Sequence, residues 1–258
     1  MSVPGEVLAR DQGLTDWNII HAYRGSIAHG MYVPKNDPQS IDDKDTMAFC
    51  VPPREFFIGL ESYGSKGTRE IVKDEWDIVV YEIRKAIGLL AGGNPNVLTM
   101  LWVPENMYIN RTGAGIYLIE NRALFAGRHT YRSFVGYAYG QLHRMDNPNR
   151  FGNMGAKRKE LLAKYGYDTK NAAHLIRLLR MGAEFLKDGE LYIHRHDAQQ
   201  LLEIKKGMWT REQVTTEADR WFKLAEEAYI NSTLPQQPDK SKINKLCIEV
   251  VEMAWAER

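Results

Sequence analysis

The chain has 258 residues, 44% hydrophobic and 26% charged, the profile of an ordinary globular protein, which excludes disordered and fibrous classes. Lys and Arg total 34 against 33 Asp and Glu, for a formal net charge of +1, so no global field marks a nucleic-acid or membrane binder. Two cysteines, Cys50 and Cys247, stand 197 positions apart, a spacing that builds neither a disulfide framework nor a metal knuckle and predicts a reduced, cytoplasmic protein.

From the start of the chain, Met1–Asp11 lacks the apolar run of a signal peptide, and nowhere do about 18 uncharged apolar residues follow one another, so no membrane partner is expected. Trp17–Arg24 is a β-branched and aromatic run that stops at Gly25, and reads as a strand. Thr46–Val51 is a second, ended by Pro52-Pro53, whose missing donors stop a ladder, with a helix start behind them at Arg54–Gly59. Thr68–Val72 and Trp76–Tyr81 predict two more strands. The second runs into IRKAIGLL with helical spacing, which Gly92-Gly93-Asn94-Pro95 closes.

Beyond about Glu120 the text turns helical. Thr130–Met145, Thr169–Lys187, Thr210–Ser232 and Lys240–Ala256 repeat apolar residues at helical intervals, with Thr169 as the expected N-cap of the second. The coarse architecture is an N-terminal α/β half and a helical half, with the seam near residues 104–122.

The chemistry concentrates in Arg24–Pro53. Asp43 and Asp45 are one residue apart. On a strand, alternation turns both carboxylates to one face, where a hard divalent cation relieves their repulsion. Magnesium, or manganese in its place, suits such oxygens together with phosphates. Alone, D-x-D is also a frequent solvated turn. Upstream, the strand ending in Gly25-Ser26 offers backbone amides and a hydroxyl to a triphosphate, with His29 nearby as a packed histidine before it is a further phosphate contact.

A strand, Gly-Ser, a short helix and then D-x-D at a strand start resemble the DNA polymerase beta-like nucleotidyltransferase superfamily. The strings GSIAHG, D-K-D before VPP, YEIRKAIGLLAGGNPNVLTMLW, AAHLIRLLRMGAEFL and STLPQQPD narrow the resemblance to a branch linked by gene context to RNA repair alongside an RNA ligase. It covers about residues 20–250, and departs from the branch at Ile27, where a basic residue usually follows Gly-Ser, and at Met47-Ala48, usually Arg-Gly. Sixteen residues, Ile27–Asp42, separate the two motifs, a modest extension through the loop VPKNDPQSI.

The resemblance implies an α+β fold, with a polymerase-beta-like palm of mixed sheet and helices over residues 1–115 and a helical acceptor domain over 116–258. It implies magnesium at Asp43, Asp45 and a third carboxylate, for which Asp77 is the choice and Glu82 the alternative. It implies an NTP substrate held at Gly25 and Ser26, a basic residue at Lys85, and an RNA 3′ end as acceptor without a template. Two other readings stand beside it: NMP transfer to a protein or small molecule, and a non-catalytic nucleotide- or RNA-sensing module. Lys170, His174 and Arg177, at i, i+4 and i+7, form a basic stripe suited to phosphates. Tyr131, Phe134, Tyr137 and Tyr139 read as core before they read as base-stacking rings. His194-Arg195-His196-Asp197 reads as a loop, not a metal centre. No Walker, Rossmann or nucleophile-elbow motif occurs.

Overall fold

The computed structural model describes residues 2–38, 40, 42–146 and 156–258; of the loop VPKNDPQSI, Gln39 and Ile41 lie outside the described residues. In chain order come α1 (Gly5–Leu8), β1 (Asn18–Tyr23), α2 (Gly25–Ala28), β2 (Lys44–Cys50), α3 (Glu55–Ile58), β3 (Thr68–Lys73) and β4 (Trp76–Glu82). Next are α4 (Ile83–Ala91), α5 (Pro95–Leu98), β5 (Tyr108–Arg111) and α6 (Gly113–Glu120). Then follow α7 (Thr130–Asp146), α8 (Ala156–Tyr165), α9 (Thr169–Asp188), α10 (Ala198–Lys205), α11 (Arg211–Asn231) and α12 (Lys240–Ala256). Among the described residues no helix is long and apolar enough to cross a membrane.

The strands form one mixed sheet in the order β3-β4-β2-β1-β5, in which β2 and β4 run parallel and the other neighbours antiparallel. The sheet's two faces follow from strand alternation. Tyr23, Ala48, Cys50, Ile78 and Val80 share one face, packed with Val7, Leu14 and Tyr63. Met47, Phe49 and Val79 are buried on the other. Helix α4 buries Ile83, Ala86, Ile87 and Leu90, the i, i+3, i+4, i+7 stripe that its sequence announced.

The chain divides into two compact units: Met1–His29, Asp43–Ala126 and Pro238–Arg258 form the first, Gly30–Asp42 and Gly127–Gln237 the second. A single cut between residues 115 and 116 therefore does not describe it, since that cut falls inside α6. Residues 104–122 stay with the sheet because β5 pairs with β1 as its edge strand. Helix α12 returns to the first unit: Glu257 accepts from the Ala114 N–H at 2.8 Å, the Tyr117 hydroxyl donates to Glu249 at 2.9 Å, and the Trp255 indole donates to the Pro52 carbonyl at 3.0 Å.

In the second unit α9 is the central helix, buried along most of its length, with α7, α10 and α11 packed on it. Its N-cap is Asp168, whose carboxylate accepts from the Asn171 N–H at 3.1 Å, one residue earlier than expected of Thr169. Asp168 wins because it also pairs with Arg158 at 2.7 Å. Phe134 is core, whereas Tyr137 and Tyr139 are exposed and Tyr139 stacks on Phe222. The string His194–Asp197 is a loop, in which Arg195 is buried between Glu184 and Asp197.

Candidate active site

Strand β1 ends at Tyr23 and delivers Arg24 and Gly25 to the edge of the sheet where β2 and β4 both begin. Gly25 has φ +61°, a left-handed backbone that glycine takes without steric cost. A Cβ there would stand 2.4 Å from Asp45 Oδ2. The backbone turn of the Gly-Ser motif and the carboxylate of the D-x-D motif are thus in van der Waals contact, across 20 positions of sequence. Ser26 follows in α2, and its Oγ is buried with no hydrogen-bond partner among the described residues. His29 caps the end of α2, buried, its N–H donating to the Gly25 carbonyl at 3.2 Å.

Parallel pairing sets Asp45 of β2 directly opposite Asp77 of β4. Neighbouring strands lie about 4.8 Å apart, and paired residues share a face, so the two carboxylates stand side by side. Asp43 lies immediately ahead of β2 and is exposed. Lys44, turned to the opposite face, pairs with Glu75 and lies over the Trp76 ring. Arg24 binds the two acids together: its Nη2 is 3.3 Å from Asp77 Oδ1 and 3.7 Å from Asp45 Oδ1, while its Nε donates to the Thr46 carbonyl at 3.1 Å. Its own N–H donates to the Asp45 carbonyl at 3.0 Å. On the reverse face Thr46 Oγ1 is 2.9 Å from His21 Nε2, and burial holds that imidazole down to about 4.

Two adjacent carboxylates repel unless a cation lies between them. Here a guanidinium does so from one side, and the side chains of Asp45 and Asp77 keep 25% and 42% of their exposure, open to a second cation. Among the described residues no three His, Cys, Asp or Glu side chains are gathered closely enough to enclose an ion by themselves. Magnesium does not need such a cage: it keeps several waters and binds through one or two carboxylates plus substrate phosphates. Two aligned carboxylates beside an unpartnered hydroxyl fit that mode, with oxygen as the donor throughout.

Other expected positions lie elsewhere. Glu82 sits at the far end of β4, five extended residues or about 16 Å from Asp77. It is buried, caps α4 through the Arg84 N–H at 2.9 Å and pairs with Arg84. The same strand corrects the placement of Lys85: it follows Glu82 on α4 and packs against Gly67, away from the carboxylates, because β4 carries the chain past the site before α4 begins. Lys170, His174 and Arg177 do not form a solvated stripe, since α9 is interior to its own unit. Lys170 and His174 are half-buried, and Arg177 is buried, its guanidinium 3.5 Å from Met181 Sδ. Burial, and then the charge of Arg195, pull that guanidinium down to about 10. Arg24, the basic residue just ahead of Gly-Ser, was given no role by spacing alone, and the structure sets it against both acids.

No curated relative and no solved structure matches the chain. A family model does, over residues 6–249, and its description is RNA repair pathway DNA polymerase beta family. With strand, Gly-Ser turn and paired aspartates inside that span, the chain belongs to the RNA repair pathway DNA polymerase beta family, a polymerase-beta-like nucleotidyltransferase family.

Proposed function

We propose that the protein transfers NMP from an NTP to an acceptor hydroxyl, releasing pyrophosphate, and that the acceptor is an RNA 3′ end extended without a template. The observation that carries this reading is the register of Asp45 against Asp77 beside the Gly25–Ser26 turn. Asp43, Asp45 and Asp77 would hold magnesium, or manganese in its place, which when bound neutralises charge on the triphosphate and on the attacking oxygen. Asp77 accepts the proton of the acceptor hydroxyl. That oxygen bonds to the α-phosphorus, the α–β phosphoanhydride bond breaks, and pyrophosphate leaves with the electron pair. Gly25 N–H and the Ser26 hydroxyl orient the departing phosphates, a role that suits a buried Oγ with no partner of its own. His29, buried behind the turn, supports α2. Within the helical unit the half-buried Lys170 and His174 are the proposed contacts to acceptor phosphates, while Arg177 is buried. Family membership in RNA repair supports RNA as acceptor, and a working association with an RNA ligase is proposed beside it.

Incubation with each labelled NTP, magnesium and a tRNA-like acceptor should transfer label to RNA. Asp45→Asn and Asp77→Asn should each lower the rate by at least about 100-fold, the scale of losing one preorganised charge at a phosphoryl site. Indistinguishable rates in wild type and variants sink the assignment. Affinity for RNA should fall steeply with salt; labelling of a polypeptide instead, indifferent to salt, moves the acceptor to the protein class.

A further inference from the structure

Arg24 touches both paired carboxylates and adjoins Gly25 in sequence. Its guanidinium is anchored at one corner, where Nε donates to the Thr46 carbonyl at 3.1 Å. The opposite corner, Nη2, reaches the acids at 3.3 and 3.7 Å, longer than the 2.7–2.9 Å of a tight charge-assisted hydrogen bond. A planar fork anchored by Nε keeps its charge at the strand edge while Nη2 can change partner. Two residues on in sequence is Ser26, whose buried hydroxyl has no partner among the described residues.

We propose that Arg24 is the built-in counter-cation of the Asp45–Asp77 pair: it holds the two carboxylates aligned, competes with the divalent ion for them, and passes to the nucleotide's phosphates when metal and NTP arrive together. This rests on the nucleotidyltransferase reading of the same site. Binding of metal and nucleotide then becomes cooperative, because an anion that attracts Arg24 frees the carboxylates, and an ion that takes the carboxylates frees Arg24.

The test titrates Mn²⁺ into the nucleotide-free protein by electron paramagnetic resonance, and measures binding of a non-hydrolysable NTP with Mn²⁺ by calorimetry. Arg24→Met and Arg24→Gln should bind Mn²⁺ alone at least about tenfold more tightly, since a like charge is removed from beside two part-exposed carboxylates where solvent screens much of the repulsion. The same variants should bind the NTP about tenfold more weakly, having lost a charge-assisted contact to phosphate. Arg24→Lys keeps the charge and should keep wild-type Mn²⁺ affinity within about threefold. Opposite shifts of the two affinities are not what a loosened fold produces. Unchanged Mn²⁺ affinity in both neutral variants overturns the proposal, as does Arg24→Lys behaving like Arg24→Met, or NTP affinity that ignores residue 24. If no acceptor is ever labelled yet the opposite shifts appear, the transferase reading fails and the role of Arg24 stands. If Asp45→Asn and Asp77→Asn abolish transfer while the Arg24 variants shift neither affinity, the reverse holds.

Discussion

At Gly25 two constraints fall on one Cα: a positive φ and a carboxylate oxygen 2.4 Å from where a Cβ would be. Either alone favours glycine; together they leave the position to glycine. Gly25→Ala must strain the backbone or push Asp45 out of line with Asp77. It should cost about 1–2 kcal/mol in urea unfolding and lower the rate of nucleotidyl transfer by about 100-fold through misplacement of the carboxylate. Full activity with the stability loss alone would show that Asp45 need not stand where it does. Ser26 offers a contrast, since its hydroxyl makes no internal hydrogen bond and its removal should leave stability within about 0.5 kcal/mol.

At the scale of the element, the connection between the two motifs is a packed part of the helical unit. Asp42 and Lys205 form a buried ion pair; Lys205 also donates to the Met31 carbonyl at 3.0 Å, and Asp42 accepts from the Val33 N–H at 2.9 Å. The Ser40 hydroxyl donates to the Val33 carbonyl at 2.6 Å. Met31 and Asp42 are therefore clasped to Lys205 of α10, and Asp42 immediately precedes the residue that opens the D-x-D motif. Removing one partner of such a pair leaves an uncompensated buried charge, so Lys205→Met should destabilise by about 3–5 kcal/mol, seen as a lower urea midpoint. A midpoint within error of wild type would mean that Asp42 finds water or another donor.

For the molecule as a whole, acid should act on the two units through different groups. In the sheet unit His21 is buried against Thr46, its imidazole held at about 4 against an ordinary value near 6.5. The folded form disfavours the proton, so the contribution is complete above pH 6.5 and is lost as pH falls towards 4. A shift of about 2.5 units corresponds to about 3 kcal/mol. In the helical unit burial alone would raise the Asp197 carboxyl, but hydrogen bonds from Arg195 and Arg180 outweigh it and hold it at about 2. That contribution is present above the unfolded carboxylate range and disappears only below about pH 3.8. Melting temperature should thus fall between pH 6.5 and 4 in wild type, and His21→Gln should flatten that slope; an unchanged slope would assign it to other groups.

Much of this was legible in one sequence because it depends on local order. Strands β1 to β4 and helices α4, α7, α9, α11 and α12 follow from apolar periodicity, caps and Pro or Gly stops within a few residues of their observed ends. Gly25-Ser26 and Asp43-Lys44-Asp45 are readable as motifs for the same reason. Strand β5 is four residues long, too short for a period, and it was absorbed into the expected seam. The return of α12 to the sheet unit depends on contacts between positions more than 100 apart, such as Glu257 with Ala114. The positions of Asp77 and Glu82 relative to Asp45 likewise depend on register: parallel pairing puts Asp77 opposite Asp45, and five extended residues carry Glu82 to the other end of the strand. Chain order determines which elements form and which motifs exist. Which acids meet, and that Arg24 lies between them, was decided only by pairing of strands distant in sequence, because pairing register is a property of two segments and is written in neither alone.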